Sequence, residues 1–207
     1  YFTQLGCSKL GFIDCALALD HMNSASFKEH VPETGRVACL LQFCEQSAPR
    51  ETCYLPEQYG EFLQRMFAGL QPRTFLPGSA SLPVAGEVKR YDKSFAAAGM
   101  WRVSVSAVGK DWGAFLDNLL LQASQRNVTS LQVVISAGMP YISAAVEQMR
   151  QRGFFMGGIF PRWFGTDGIM MQQVIGKEPD YEGIKLYGAI AKNLLTFIQQ
   201  DRESVTK

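Results

Sequence analysis

Excess charge is what this chain most conspicuously lacks. Twenty Lys and Arg stand against 19 Asp and Glu, for a net charge of +1, and no basic run occurs. A protein that binds a polyphosphate backbone needs a cationic stripe, so the balance disfavours nucleic acid as a partner. No apolar stretch approaches the ~20 residues that span a bilayer, so no membrane segment is expected. Histidine is scarce, at two residues, and the five cysteines form no CxxC. An odd count without that spacing argues against a disulfide framework and a zinc knuckle, and no metal is expected. A Walker-type GxxxxGKS or GxxxxGKT loop is missing, which excludes a P-loop ATPase within these residues. Internal repeats and low-complexity segments are missing too.

What remains is an ordinary globular composition. The 207 residues are 47% hydrophobic and 19% charged. A chain of this length buries roughly two thirds of its unfolded surface, so it folds without disulfides or metal. Disorder is excluded as the dominant state, because low hydrophobicity and high net charge are both absent. Residues 1–20 lack the basic start and continuous apolar core of a secretory signal, and Asp14 interrupts their apolar part. Tyr1 is not Met, and the expectation is a piece of a longer multidomain protein. The cysteines (Cys7, Cys15, Cys39, Cys44 and Cys53) read as reduced, mostly structural thiols of a cytoplasmic protein. Cys39 and Cys44 are an odd number apart in one candidate strand, so they point to opposite faces and cannot share a ligand. In that compartment the sequon Asn127-Val128-Thr129 is a chance match.

Periodicity divides the chain into elements. Residues 34–44 read as a strand covered on both faces, and 50–55 as a second short strand after a turn at Ser47-Ala48-Pro49. Pro56 suits a first helical turn, and Phe62, Leu63, Met66, Phe67 and Leu70 predict an amphipathic helix over 57–70. Residues 71–86 hold three prolines and two glycines and read as an irregular connector with room for a short strand at its edges. Residues 87–92 and 99–108 predict a strand pair, since Trp101, Val103 and Val105 alternate with Arg102, Ser104 and Ser106. Trp112, Phe115, Leu116, Leu119, Leu120 and Ala123 then form a helical stripe, with Asp111 as its cap. A strand over 131–135, a helix over 141–152 stopped by Gly153, strands over 154–160 and 169–175, and a long helix over 180–201 complete the order. The whole is read as one domain, with parts at 1–70 and 87–207 around the connector.

Strand–helix–strand–helix–strand–strand resembles the C-terminal half of the GNAT N-acetyltransferase fold, an α/β fold with a mixed, mainly antiparallel central sheet flanked by helices. The segment from Arg152-Gly153-Phe154-Phe155-Met156-Gly157-Gly158-Ile159-Phe160-Pro161-Arg162-Trp163-Phe164 to Asp167-Gly168-Ile169-Met170-Met171-Gln172 is similar to a bacterial family's GFF-GG-lP-WF-DGLLMQK stretch. Tyr54-Leu55-Pro56-Glu57-Gln58-Tyr59 is similar to its yvPe.Y element. In that family a GNAT-like domain is appended to an anti-sigma-factor, histidine-kinase-like ATPase domain. The resemblance spans roughly 30–201, and 152–172 is its specific part. It implies an acyl-CoA-type fold in a signalling context, with acetyl-CoA or another acyl-CoA as ligand and an upstream ATPase as partner.

The same resemblance names candidate residues. GNAT enzymes carry a Q/R-x-x-G-x-G/A run between the strand and helix equivalent to 101–108 and 112–126, where backbone amides hold the pyrophosphate of coenzyme A. Here the junction offers Val108, Gly109, Lys110 and Gly113 but not that register, and Asp111 brings a negative charge that Lys110 partly offsets. The bland alternative is a strand–helix turn. Acyl transfer also needs a proton donor for the departing thiolate, and Tyr141, at the head of the helix over 141–152, is the nearest formal match. Its alternative is a packing tyrosine.

Other candidates come from the residues themselves. Gly157, Gly158, Arg162, Trp163 and Asp167 suggest a ligand groove, because paired glycines in a strand mark a bulge or a close backbone approach. The alternative is a hairpin loop with Trp163 packed on a neighbour. Cys15 with His21 is a weak nucleophile pair, since nothing orients the base, and His30 has no partner in the pattern. Three readings follow. The first is a GNAT-like regulatory domain that binds a small molecule and controls an ATPase or serine/threonine kinase module. The second is an active acyl-CoA-dependent N-acyltransferase. The third is an interaction module, a homodimer formed through the apolar stripes or the Trp163 loop.

Overall fold

Residue alternation sets the centre of the fold. In the computed structural model, which describes residues 2–24, 35–46 and 51–205, Trp101, Val103 and Val105 are fully buried on one side of their strand. The elements run α1 (Phe2–Lys9), β1 (Ile13–Asn23), β2 (Arg36–Phe43), β3 (Glu51–Leu55), α2 (Gly60–Phe67), β4 (Arg73–Pro77) and β5 (Lys89–Phe95). After a 3-10 turn at Ala96–Ala98 come β6 (Met100–Ala107), α3 (Trp112–Gln125), β7 (Ser130–Ser136), α4 (Ile142–Arg150), β8 (Phe155–Phe160), β9 (Gly168–Val174) and α5 (Ala189–Val205). The turn predicted at Ser47-Ala48-Pro49, together with Arg50 and His30, lies outside the described residues.

Seven strands form one mixed sheet in the order β2-β1-β8-β9-β7-β6-β5, flanked by helices. Only β6 and β7 run parallel, because α3 carries the chain back between them; the remaining ladders of this sheet are antiparallel. Strands β3 and β4 pair in parallel as a separate two-stranded sheet. It meets the carboxyl end of β7, where the Tyr54 amide donates to the Ala137 carbonyl at 2.7 Å.

The two faces of the large sheet are unlike. One packs against α2, α3, α4 and α5, and its core includes Leu17, Trp101, Val103, Leu131, Val133, Ile169 and Met171. The α3 stripe contributes Trp112, Leu116, Leu119 and Ala123, all buried. The opposite face carries a smaller cluster of Ala16, Ala18, Val134, Phe160 and Met170, walled by Cys39, Leu41, Phe43 and Phe164. That second cluster draws on strands and the loop after β8, but on no helix.

Several elements differ from the sequence reading. β1 is unforeseen, although Cys15, Leu17 and Leu19 alternate with Ala16 and Ala18 and all five are buried. The alanines blur the alternation, and covering on both faces removes the polar half of the pattern. β4, at the start of the predicted connector, is the short edge strand for which that stretch had room. α5 starts at Ala189 rather than 180. Asp180 accepts the Gly183 amide at 3.0 Å, and a Cβ on Gly188 would come within 2.7 Å of an Asp14 carboxylate oxygen. Gly153 ends the α4 region in a left-handed conformation, φ +81°, as its position predicts.

Candidate functional site

The strand–helix turn is closed by the chain's own connector. Val108 and Gly109 are buried, while Lys110 is exposed. The Lys110 amide donates to the Gly86 carbonyl at 3.2 Å. Asp111 stands at the N-cap of α3 without capping it; its Oδ1 instead accepts the Val88 amide at 3.0 Å. A Cβ on Gly109 would lie 2.5 Å from the Glu87 carbonyl carbon, so glycine is required for 86–88 to pack this closely. Gly113 faces α4, where a Cβ would meet Gln148 Oε1 at 3.2 Å and Arg152 Nη2 at 3.4 Å. The four proposed cofactor residues are therefore neighbours in space, but the Lys110 amide and Gly109 face residues 86–88.

The same connector crosses the carboxyl ends of both parallel strands. The Ala80 amide donates to the Pro140 carbonyl at 2.9 Å after β7, and Gly86 meets Lys110 after β6. Beneath it the β6–β7 ladder ends at Val105 and Ile135, although β6 continues to Ala107 and β7 to Ser136. Tyr141 stands at the N-cap of α4 and packs against the main core.

The loop after β8 is held by a charge cluster. Arg73 grips Asp167 with Nε and Nη2, both at 3.0 Å, and Glu45 with Nη1 at 2.8 Å. Arg162 pairs with Glu51, and its backbone amide donates to Asp167 Oδ1 at 3.1 Å. The Arg73 and Asp167 side chains are each 1% exposed. Burial works to raise the Glu45 carboxyl, but hydrogen bonding from Arg73 prevails and holds it below its ordinary range. Burial likewise works against the charged Arg73, yet Glu45 and Asp167 raise it above its ordinary value. Arg162 and Asp167 are thus fasteners that bind the β8–β9 loop to β3 and β4.

The paired glycines do what such a pair predicts, and the approaching backbone is β1. The β8–β9 register shifts between Met156 and Gly158, which marks a bulge. Gly158 adopts φ +130°, and a Cβ there would lie 2.3 Å from the Cys15 carbonyl oxygen. A Cβ on Gly157 would lie 2.2 Å from Met170 Cε. Of the proposed groove residues, Trp163 alone is well exposed, at 42%; its Nε1 donates to Ser104 Oγ at 2.8 Å.

Cys15 and Cys53 are poor nucleophiles, since burial pushes both thiols up to about 12. Cys15 belongs to the helix-side core, whereas His21 reaches Gln132 at 3.0 Å. Burial, reinforced by Arg102 and Arg36, pushes His21 down to about 4, so it is neutral at pH 7. Sequence reasoning missed Arg102 and Gln132, whose Nε–Oε1 bond measures 2.9 Å. The available signal was the alternation of Arg102 with Trp101 and Val103, which places it on the face away from the helices. Among the described residues no group of His, Cys, Asp and Glu is arranged to hold a metal ion, and no helix is long and apolar enough to cross a membrane.

Compared with known proteins, the chain matches no family model, no curated protein and no solved structure. The α/β class rests on the mixed sheet and its flanking helices.

Proposed function

We propose that this chain is a GNAT-like regulatory domain of a bacterial signalling protein, coupled to an anti-sigma or serine/threonine-kinase-type ATPase. In this reading it senses an acyl-CoA or related small molecule without turning it over. The fold half is supported by the order β6-α3-β7-α4-β8-β9 in a mainly antiparallel sheet with one parallel pair. The regulatory half is carried by one observation. The turn where the family's amides hold pyrophosphate is packed with residues 86–88, through Gly86–Lys110 and Val88–Asp111. An anion meeting this turn would first have to displace the connector, and such displacement is a natural signal.

The second reading, an acyl-CoA-dependent N-acyltransferase, is favoured by the parting of β6 and β7 beyond Val105 and Ile135, beside the start of α3. One pair of measurements separates the two. Acetyl-CoA and longer acyl-CoAs are expected to raise the melting temperature, while thiol release with a panel of amines stays at background. Sustained thiol release would establish the transferase instead. No shift with any acyl-CoA would remove the acyl-CoA ligand.

A further inference from the structure

The sheet face opposite the helices holds a cation, Arg102, that no carboxylate among the described residues neutralises. Arg102 projects from β6 onto this face, donates from Nε to Gln132 Oε1 at 2.9 Å, and lies over the Phe160 ring at 5.2 Å. The Trp163 ring centroid is 6.0 Å from its guanidinium carbon, and Phe160 and Trp163 meet edge to face at 5.1 Å. Among the described residues no carboxylate pairs with Arg102. Burial depresses its basicity, and His21 nearby is neutral. A partly buried guanidinium whose hydrogen-bond partner among the described residues is a neutral amide is costly to keep. An anion would offset that cost, since the planar guanidinium fork can accept one through two parallel bonds.

A cleft of about 390 Å³ is lined by Lys89, Arg90, Tyr91, Ser104, Ser106, Trp163 and Phe164, and Trp163 is the wall through which it adjoins Arg102. Lys93 pairs directly with Arg102 across the β5–β6 ladder, and Tyr91 with Ser104, so their side chains share this face. Tyr91 and Trp163 are 69% and 42% exposed, which leaves aromatic surface open to solvent. Lys89 and Arg90 in the lining, Arg102 and Lys93 adjoining it, and the aromatic walls make a site that selects charge and flatness together.

We infer that this cleft, at the β5–β6 edge of the sheet face away from the helices, binds a small aromatic anion, its carboxylate or phosphate on Arg102 and Lys93 and its ring against Trp163 and Tyr91. The inference rests on this face alone and does not need the acyl-CoA reading.

Matched pairs test it by titration calorimetry. 4-Hydroxybenzoate against 4-hydroxybenzamide probes a carboxylate, and adenosine monophosphate against adenosine probes a phosphate. In at least one pair the charged member is expected to bind tenfold or more tightly than the neutral one, and the better pair identifies the head group. Arg102→Met should remove that preference and Trp163→Leu should weaken both members. Equal affinity within both pairs, or no binding by either anion, overturns the inference in the wild-type protein. Should Arg102→Met fail to fold, Lys93→Met on the exposed edge strand serves instead; retention of the full charge preference in it would contradict the assignment.

Discussion

Gln132 stands between two basic side chains, Arg102 on its oxygen and His21 at its nitrogen. The amide orientation requires His21 Nδ1 to accept, which fixes the neutral imidazole. Protonating it would place a third positive charge beside Arg102 and Arg36. The consequence for stability has a definite sign. The folded value lies at about 4, below the ordinary 6.5, so the unfolded chain binds the proton more readily between the two. Stability contributed by neutral His21 is complete above about pH 6.5 and declines as pH falls toward 4. Chemical denaturation at several pH values should show this slope, and His21→Gln should flatten it between those limits. An unchanged slope in the variant would assign the dependence elsewhere.

Among elements, β8 shows how a small sequence feature controls an assembly step. β1 reaches the sheet through the pairing of Ala16 with Gly158, at a bulge that tolerates no side chain. Gly158→Ala would bring a Cβ within 2.3 Å of the Cys15 carbonyl and strain φ +130° at once. We expect a loss of more than about 2 kcal/mol, as for other substitutions at strained backbone positions in a packed core. Urea denaturation measures it; a loss below about 0.5 kcal/mol would mean that β1 can shift without penalty. That the glycine pair marked a bulge was legible in the sequence. That β1 was the approaching strand was not, because the contact joins positions some 140 residues apart, and local patterns carry no information across such a span. Arg162 and Asp167 show the same limit. As a polar loop they suggested a groove, yet Arg73, Glu45 and Glu51 supply their countercharges from distant segments.

At the scale of the whole molecule, the two faces of the sheet divide the work. The helix side supplies the large apolar core, while the open side combines a small apolar cluster with Arg102, Ser104 and Trp163. The connector stretch 79–87 is exposed along most of its length, with Val84 at 93%, and makes few backbone hydrogen bonds. Central β7 is buried throughout. Hydrogen exchange should therefore separate them: β7 amides exchange only through global unfolding, whereas amides of 79–87 exchange orders of magnitude faster. Comparable protection in both would show the connector to be an integral part of the core. Loosening of 79–87 on adding an acyl-CoA would join this measurement to the proposed displacement.

The sequence by itself determined the second half of the fold. Its strands and helices announce themselves through Trp101-Val103-Val105 and the α3 stripe, because burial on one face imposes a period that local spacing records. It also determined the near-neutral charge and the role of Gly153. Only the tertiary structure decided that β1 enters the sheet beside β8, that residues 86–88 fill the turn at Gly109, and that no carboxylate among the described residues pairs with Arg102. Each of these depends on which distant groups share a few ångströms, and that is fixed by packing rather than by the order of residues along the chain.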